Sequence, residues 1–320
     1  MAIPASARRR WAWHTVSVLV LMLFAAALYF ASKQIDYTWR WERVPQYLLS
    51  TGGEDVPAPF DGTVSIAGDG KTLKITPLLG GGAAETISGI EVPQVSDGEV
   101  VFRGNTIGKK PGVSAGPLLI GLWLTLRISA VSLVFALLLG VLTGLARVSQ
   151  NPAARDLSSF YVEVIRGTPL LVQLFIAYFF FAPTLHLSAF AAGVFGLSVF
   201  TGAYIAEIVR AGIQAVPKGQ TEAAQSLGLS GLQTLRHVVL PQAIKKILPP
   251  LAGQFINLIK DSSLVSVMAL TDLTKAGREV VSSTFSPFEV WFSVALMYLV
   301  LTGALSLVVN RLEKRLNRHD

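Results

Sequence analysis

The chain has 320 residues, of which 52% are apolar and only 15% are charged, whereas a typical soluble domain carries about 25% charged residues. It has no cysteine, which excludes disulfide frameworks and thiolate metal sites, and its four scattered histidines offer no metal-binding pair. A net charge of +7 in so apolar a chain is typical of cytoplasmic loops that face anionic lipid, so the sequence predicts an integral membrane protein that does not bind nucleic acid.

Long stretches without charged residues predict the membrane spans, because about 20 residues of helix cross roughly 30 Å of hydrocarbon. The six predicted spans lie in residues 11–32, 128–146, 167–206 (two spans that turn near Pro183), 247–271 and 290–310. The fifth differs from the others, since it carries Lys260 and Asp261 in its middle.

Basic residues in the short loops predict the orientation of these spans. Residues 1–13, 147–167, 210–246 and 311–320 hold 3, 3, 5 and 4 Lys and Arg residues. The short loops on the other side hold only Lys275 and Arg278. We therefore expect both termini to be cytoplasmic, with residues 1–31 forming the N-terminus and the first span, and residues 311–320 a cytoplasmic tail.

The first span also allows a second interpretation. Three arginines before an apolar run, followed by three alanines, fit a cleaved signal peptide, although 22 uncharged residues are many for one. Cleavage would leave five spans and the same orientation for the rest of the chain.

Residues 32–115 form a more polar insertion, with 10 acidic and 8 basic residues and many glycines and prolines. Alternating residues 64–66 and 73–75 around Gly68-Asp69-Gly70 predict a β-hairpin. A second hairpin is predicted between residues 90–92 and 100–102. The insertion is expected to be a small β-rich module on the periplasmic side, either a docking surface for a partner or a solvated insertion without a role of its own.

The most informative segment is the cytoplasmic loop at residues 212–246. Few helix breakers occur in residues 218–227 and 232–239, and Gly228 lies between them, where a turn needs a residue that tolerates positive φ. Pro241 is expected to end the second helix, because proline cannot donate a backbone hydrogen bond. The loop is thus predicted to form two short helices joined by a sharp turn.

This loop resembles the EAA loop of ABC-importer permeases, whose pattern is E-A-A, three residues, G, nine residues, I-x-L-P. The residues in register are Glu222, Ala223, Ala224, Gly228, Leu240 and Pro241, with Val238 in place of isoleucine. Residues 121–127, 161–173, 204–212 and 259–264 are similar to motifs of the polar amino acid branch of these permeases. The resemblance covers roughly residues 117–310, and the insertion is not part of the usual core.

The resemblance implies an all-α membrane protein with a five-helix permease core at residues 116–310 preceded by an N-terminal helix. It implies that the loop couples transport of polar amino acids to a separate cytoplasmic ATPase dimer, which binds the ATP and Mg²⁺. The other partners it implies are a second permease subunit, identical or related, and a solute-binding protein, at a bacterial inner membrane. The chain itself is expected to bind no cofactor or metal and to be no enzyme, since its nearest P-loop-like string, at residues 104–110, has the wrong spacing.

Polar residues at membrane depth are the remaining candidates for function. Gln254, Asn257 and Asp261 fall on one helical stripe, with Lys260 about 100° away. They either line a translocation path or form hydrogen bonds between helices or subunits. The full set of candidate path residues is Arg127, Gln173, Gln254, Asn257, Lys260 and Asp261.

Two charged pairs close to the membrane surface are interpreted as structural. These are Glu207 with Arg210, which is expected to be an interfacial pair, and Glu163 with Arg166.

Two other classes of protein are the alternatives. An ion-coupled secondary transporter would use Asp261 or Glu207 as a protonation site, but it should show inverted repeats, which the sequence lacks. A channel or a membrane-anchored sensor would make the insertion its active part. Neither explains the loop from Glu222 to Pro241.

Overall fold

The computed structural model describes residues 5–35, 37–50, 53–78 and 83–316. The chain divides into two compact units, one that ends at Trp41 and one that begins at Glu42. The first unit contains helix α1 (Ala5–Gln34), whose segment Trp13–Ala31 is long and apolar enough to cross a membrane.

The second unit is mainly helical. Its helices are α2 (Val44–Leu48), α3 (Pro117–Arg147), α4 (Pro152–Arg166), α5 (Leu170–Ile176), α6 (Ala182–Thr184), α7 (Ala189–Gln214), α8 (Lys218–Ser226), α9 (Gly231–Thr234), α10 (Leu240–Asp261), α11 (Leu273–Thr284) and α12 (Pro287–Leu316). Short 3₁₀-helices lie at Trp41–Arg43 and Ser262–Val267, and π-helical turns at Ala177–Phe181 and Leu235–Val239.

Four described helices, α1, α3, α7 and α12, are long and apolar enough to span a membrane. The pair formed by α4 and the run Leu170–Thr184 would count as a fifth only if both helices belong to one span, and the two are bent by 104° relative to each other. The expectation of a mainly helical chain with several apolar helices is therefore confirmed. Helix α10 is not among the four; it contains three prolines, three lysines and one aspartate, and the count of six spans stays a prediction.

The boundaries of three predicted spans can be compared with these helices. The turn near Pro183 is confirmed, since the chain reverses between α6 and α7 with His186 at φ 53°. The second predicted span begins too far along the chain, because α3 begins at Pro117, ten residues before Arg127. The fifth predicted span also lies too far along the chain. Helix α10 ends at Asp261, so Lys260 and Asp261 lie at the end of a helix rather than in its middle.

The strands found in the described part of the chain lie between residues 49 and 115. They are β1 (Leu49–Ser50), β2 (Glu54–Pro57), β3 (Gly62–Ile66), β4 (Leu73–Pro77), β5 (Glu85–Ile87), β6 (Val92–Pro93), β7 (Val100–Val101), β8 (Thr106–Lys110) and β9 (Ser114–Ala115). They form three antiparallel sheets with the strand orders β1-β9, β2-β8-β6 and β5-β4-β3-β7.

The first predicted hairpin is confirmed, since β3 pairs with β4 and Val64 lies opposite Ile75. The turn between them is held by Asp69, whose carboxylate accepts hydrogen bonds from the backbone of Lys71 and from Thr72; these bonds lower the pKa of Asp69. The second predicted hairpin is wrong. Strand β7 pairs with β3 and β6 pairs with β8, because residues 90–101 connect the two sheets and bury Ile90 and Val101 in a shared core.

The two ends of the insertion meet at the helical core. Strands β1 and β9 pair directly, and Gly116 donates a backbone hydrogen bond to the carbonyl of Leu48 (2.7 Å). Tyr47, on α2, is buried in one apolar cluster with Leu118 of α3 and Leu273 of α11. The base of the insertion is therefore fixed on α3 and α11 by burial of apolar surface.

The core is built on close packing between α3 and α7. Gly140 and Gly144 lie one helical turn apart on α3, against Ile205 and Val209 of α7. A Cβ atom at Gly140 would lie 2.5 Å from the Cβ of Ile205, closer than two carbon atoms can approach. Small residues allow such an approach between helices in a membrane, where van der Waals packing takes the place of the hydrophobic effect.

We predict that Gly140→Ala destabilises the protein by about 1–3 kcal/mol, since the added methyl group overpacks a contact that cannot open without moving a helix. The measurement is the midpoint of thermal unfolding of the purified protein. Gly303→Ala on α12 is the matched control, because a Cβ there meets nothing within 4 Å. Equal midpoints for the two variants would contradict close packing of α3 on α7.

Candidate functional site

The candidate site is the loop between α7 and α10. Helix α8 contains the Glu222-Ala223-Ala224 sequence and ends at Ser226, as the pattern of the sequence predicts. The turn that follows contains Gly228, whose φ of +83° lies in the left-handed region. The requirement for glycine that the sequence analysis inferred at this position is therefore confirmed.

Hydrogen bonds close this turn in the manner of a glycine-terminated helix. The amide of Leu229 donates to the carbonyl of Ala224 (3.2 Å), and that of Gly228 donates to Gln225 (2.9 Å). A Cβ at Gly228 would meet nothing within 4 Å. The constraint on Gly228 is thus the backbone conformation and not a lack of space.

The expectation that Pro241 ends the second helix is wrong. Helix α9 continues through the π-helical turn Leu235–Val239 directly into α10, and Pro241 lies in the first turn of α10. The amide of Leu240 bonds to the carbonyl of Leu235, five residues earlier. An ordinary α-helical turn would exclude a proline, because its nitrogen donates no hydrogen bond and its ring clashes with the carbonyl of the residue four positions earlier. The wider π-helical turn accepts it.

Helix α8 is held against the start of α10. It packs on the π-helical turn, with Ala224 only 4% exposed. The side-chain amide of Gln242 donates to Gln220 (3.4 Å), and the ammonium group of Lys246 donates to the carbonyl of Ala215. The loop is therefore a folded unit whose position depends on that of α10.

The outer surface of the loop exposes both polar and apolar groups. Glu222 and Ala223 are exposed, and Leu227 and Leu232 are 84% and 76% exposed on either side of the turn. No sequence motif predicted a role for these two leucines, although their position beside a polar turn was a usable signal. Exposed leucines that flank a charged helix are typical of a surface that contacts another protein.

A cavity of about 790 Å³ opens beside the loop. Its walls come from the end of α3, the end of α7 and the loop itself, and they include Leu145, Ile213, Gln225 and Leu235. The loop therefore does not lie flat against α3, and a concave surface remains between them.

A charged cluster lies where α3, α4 and α7 end. The expected pair of Glu207 and Arg210 is present, with the guanidinium Nε of Arg210 3.3 Å from Glu207 Oε2. The sequence did not reveal that Arg147 also binds this carboxylate and that Arg166 lies 3.7 Å from it. One carboxylate thus faces three arginines from three helices, a grouping that only the packing of α3, α4 and α7 creates.

The polar stripe of α10 runs along the last two turns of the helix. Asn257 and Lys260 are exposed, while Gln254 and Asp261 are half-buried. In the described part of the chain, the side chains of Gln254, Asn257 and Lys260 make no hydrogen bond. The structure therefore gives no support within this chain to the alternative that the stripe joins helices by hydrogen bonds.

The other two candidate path residues make contacts of their own on α3 and α5. The side-chain amide of Gln173 donates to the carbonyl of Ile165 (2.7 Å) and to the hydroxyl of Thr168 (2.8 Å), and so braces the bend between α4 and α5. Arg127 is exposed, and its guanidinium lies 4.9 Å from the ring centre of Phe190 on α7. Among the described residues, no hydrogen bond joins Arg127 or Gln173 to the stripe.

Comparison with known proteins gives a consistent result. A family model described as "binding-protein-dependent transport system inner membrane component" matches residues 136–318. The chain is 46% identical over 199 residues to a probable glutamine ABC transporter permease protein of Bacillus subtilis, covering 62% of this chain and 92% of that protein. It is 41% identical over 204 residues to a glutamine transport system permease protein of Escherichia coli K12, with coverages of 62% and 93%.

Solved structures agree with these sequence matches. A crystal structure of an amino acid ABC transporter with histidines matches at 40% identity and a TM-score of 0.59, covering 62% of this chain and 94% of that one. A methionine ABC transporter in an inward-facing conformation matches at 22% identity and a TM-score of 0.57, with coverages of 63% and 97%. The second match supports the fold alone.

We predict that Gly228→Val loosens the turn after α8, since a left-handed conformation costs a side chain about 1–2 kcal/mol and more when it is β-branched. Hydrogen exchange of the Leu229 amide should accelerate about tenfold, because its bond to Ala224 needs this turn. Gly219→Ala on α8 should leave the exchange unchanged, since nothing lies within 4 Å of its Cβ. Unaltered exchange in Gly228→Val would refute the assigned turn.

Proposed function

The chain belongs to the family of inner membrane components of binding-protein-dependent transport systems, and on this premise we propose that it is the permease subunit of an ATP-driven importer for polar amino acids. The observation that carries the proposal is the folded loop of α8 and Gly228, fixed on α10 and exposing Glu222. The relatives named for glutamine support the substrate class.

In this proposal α8 is a coupling helix that docks on a cytoplasmic ATPase. Glu222 offers a charge to an arginine or a helix end of the partner, and the small side chain of Ala223 lets the two backbones approach. Leu227 and Leu232 supply apolar contact on either side of the turn. Because α9 continues into α10 without a break, displacement of α8 by the ATPase is passed directly to α10.

The proposed assembly has two membrane subunits, this chain with a second copy or a related permease, and two ATPase subunits that bind ATP and Mg²⁺. A binding protein delivers the amino acid from the outside. We place six spans in a bacterial inner membrane with both termini cytoplasmic, the sixth span being α10. This placement puts α8 and the basic loops on the cytoplasmic side, as the distribution of Lys and Arg requires.

We assign the polar stripe of α10 to the translocation path. Asn257 and Lys260 are exposed in the single subunit and bind no described residue. Carboxylate, ammonium and amide groups on one helix match the groups of a zwitterionic amino acid with a polar side chain. Helix α10 would thus carry both the path residues and the coupling loop.

The β-rich insertion is proposed to lie outside the membrane and to receive the binding protein. Its base is fixed by the pairing of β1 with β9 and by the burial of Tyr47 against α3 and α11. A displacement at the surface of the insertion would therefore be transmitted directly to the helices.

The central test measures uptake of labelled glutamine in cells that produce the chain with its ATPase and binding protein. We expect Gly228→Val to lower uptake about tenfold or more, because the turn that orients α8 is lost, while the amount of chain in the membrane stays the same. Gly219→Ala is the matched control and should transport normally. Normal uptake by Gly228→Val would refute the coupling role.

A second test examines whether the polar stripe of α10 lines the translocation path. Asp261→Asn keeps the shape of the side chain and removes its charge, so it should change the ratio of uptake of cationic to neutral amino acids if the stripe lines the path. Asp156→Asn, on the exposed side of α4, is the control for a general effect of charge. A fall in the yield of the assembled complex with unaltered selectivity would assign Asp261 to subunit packing instead.

A further inference from the structure

Helix α4 is amphipathic in a way that its packing inside the chain does not explain. Leu157, Phe160 and Val164 are 71%, 68% and 44% exposed and follow one face at spacings of three and four residues. Ser158 and Val162 form the buried face, which packs on α3 and α7. An exposed apolar stripe of this kind is typical of a helix that lies in a membrane surface.

The direction of α4 agrees with this position. The bend of 104° between α4 and the run Leu170–Thr184 turns α4 nearly perpendicular to the helix that follows it. If that following run crosses the membrane, α4 lies along the membrane surface. This inference rests on the proposed function, because only the proposed topology places α4 at the cytoplasmic surface.

The charged cluster at the end of α4 holds more positive than negative charge. Arg147, Arg166 and Arg210 surround the single carboxylate of Glu207. Glu163 is the other carboxylate nearby, one turn before Arg166 on α4, and it forms no ion pair with a described residue. Even with Glu163 counted, the sum of these five charges is positive.

Two of the guanidinium groups are incompletely used, whereas that of Arg210 already donates to both carboxylate oxygens of Glu207 and to the side-chain oxygen of Gln214. The Nε of Arg147 is buried and has no hydrogen-bond partner among the described residues. The side chain of Arg166 is 42% exposed, and its guanidinium lies 5.2 Å from the ring centre of Tyr204. Such a group of arginines matches the geometry of a phosphate, which accepts several hydrogen bonds at once.

We propose that Arg147, Arg166 and Arg210 form a binding site for the phosphate of an anionic phospholipid in the inner leaflet. The apolar face of α4 lies among the acyl chains and so brings the arginines to the level of the lipid headgroups. A bound phosphate would join α3, α4 and α7 at the point where α7 leads into the coupling loop. The site would thereby make the position of the loop depend on the lipid composition.

The test is native mass spectrometry of the full-length chain in detergent with equal amounts of dioleoyl phosphatidylglycerol and dioleoyl phosphatidylcholine. The wild-type chain should retain the anionic lipid in preference to the zwitterionic one. Arg166→Gln should lower this preference about tenfold, the factor expected for the loss of one hydrogen bond to a charged group. Arg166→Lys, which keeps the charge, should retain more of the preference than Arg166→Gln.

Arg155→Gln is the matched control. Arg155 is exposed on the same helix and is paired only with Asp156, at 3.8 Å. An equal loss of lipid preference in Arg155→Gln and Arg166→Gln would show that the preference depends only on general surface charge, and it would overturn the proposed site. Retention of both lipids in equal amounts by the wild-type chain would overturn it as well.

Two further outcomes identify other occupants. Complete displacement of phosphatidylglycerol by millimolar inorganic phosphate would assign the arginines to a free anion and overturn the lipid proposal. A loss of dimers in Arg166→Gln with unaltered lipid binding would show that the cluster faces a second copy. Because the measurement needs neither ATPase nor binding protein, failed uptake with preserved lipid preference would refute the proposed function alone.

Discussion

The close approach of α3 and α7 is the constraint on which the rest of the molecule depends. Gly140 and Gly144 allow Ile205 and Val209 to lie against the backbone of α3. The same contact brings Arg147, one turn beyond Gly144, to Glu207 on α7. Side chains at these glycines would separate the helices and, with them, the charged cluster that joins α3, α4 and α7.

The loop between α7 and α10 takes its position from this core. It leaves α7 just after the charged cluster and returns through an unbroken helical path into α10. Its turn is constrained by backbone conformation and not by space, because Gly228 holds a φ of +83° while a Cβ there would meet nothing within 4 Å. A short helix that is fixed at both ends and exposed on one side is suited to transmit displacement rather than to absorb it.

The two ends of the helical core serve different purposes. On one side, the insertion is fixed by burial of Tyr47 and by the pairing of β1 with β9. On the other, α4 exposes an apolar stripe beside an excess of arginine. In the proposed topology, the first arrangement suits a protein partner outside the membrane and the second suits lipid of the inner leaflet, and both lie next to α3.

The sequence by itself determined the features that depend on local pattern. Uncharged stretches identified the apolar helices, alternation identified the hairpin around Asp69, and spacing identified α8 and the glycine after it. Sequence patterns failed to predict features that depend on distant segments. Residues 100–101 pair with β3, and three arginines converge on Glu207. Pro241 is accepted by a π-helical turn. These features follow from which helices and strands pack together, and no spacing along one segment encodes a contact whose partner lies 60 residues away.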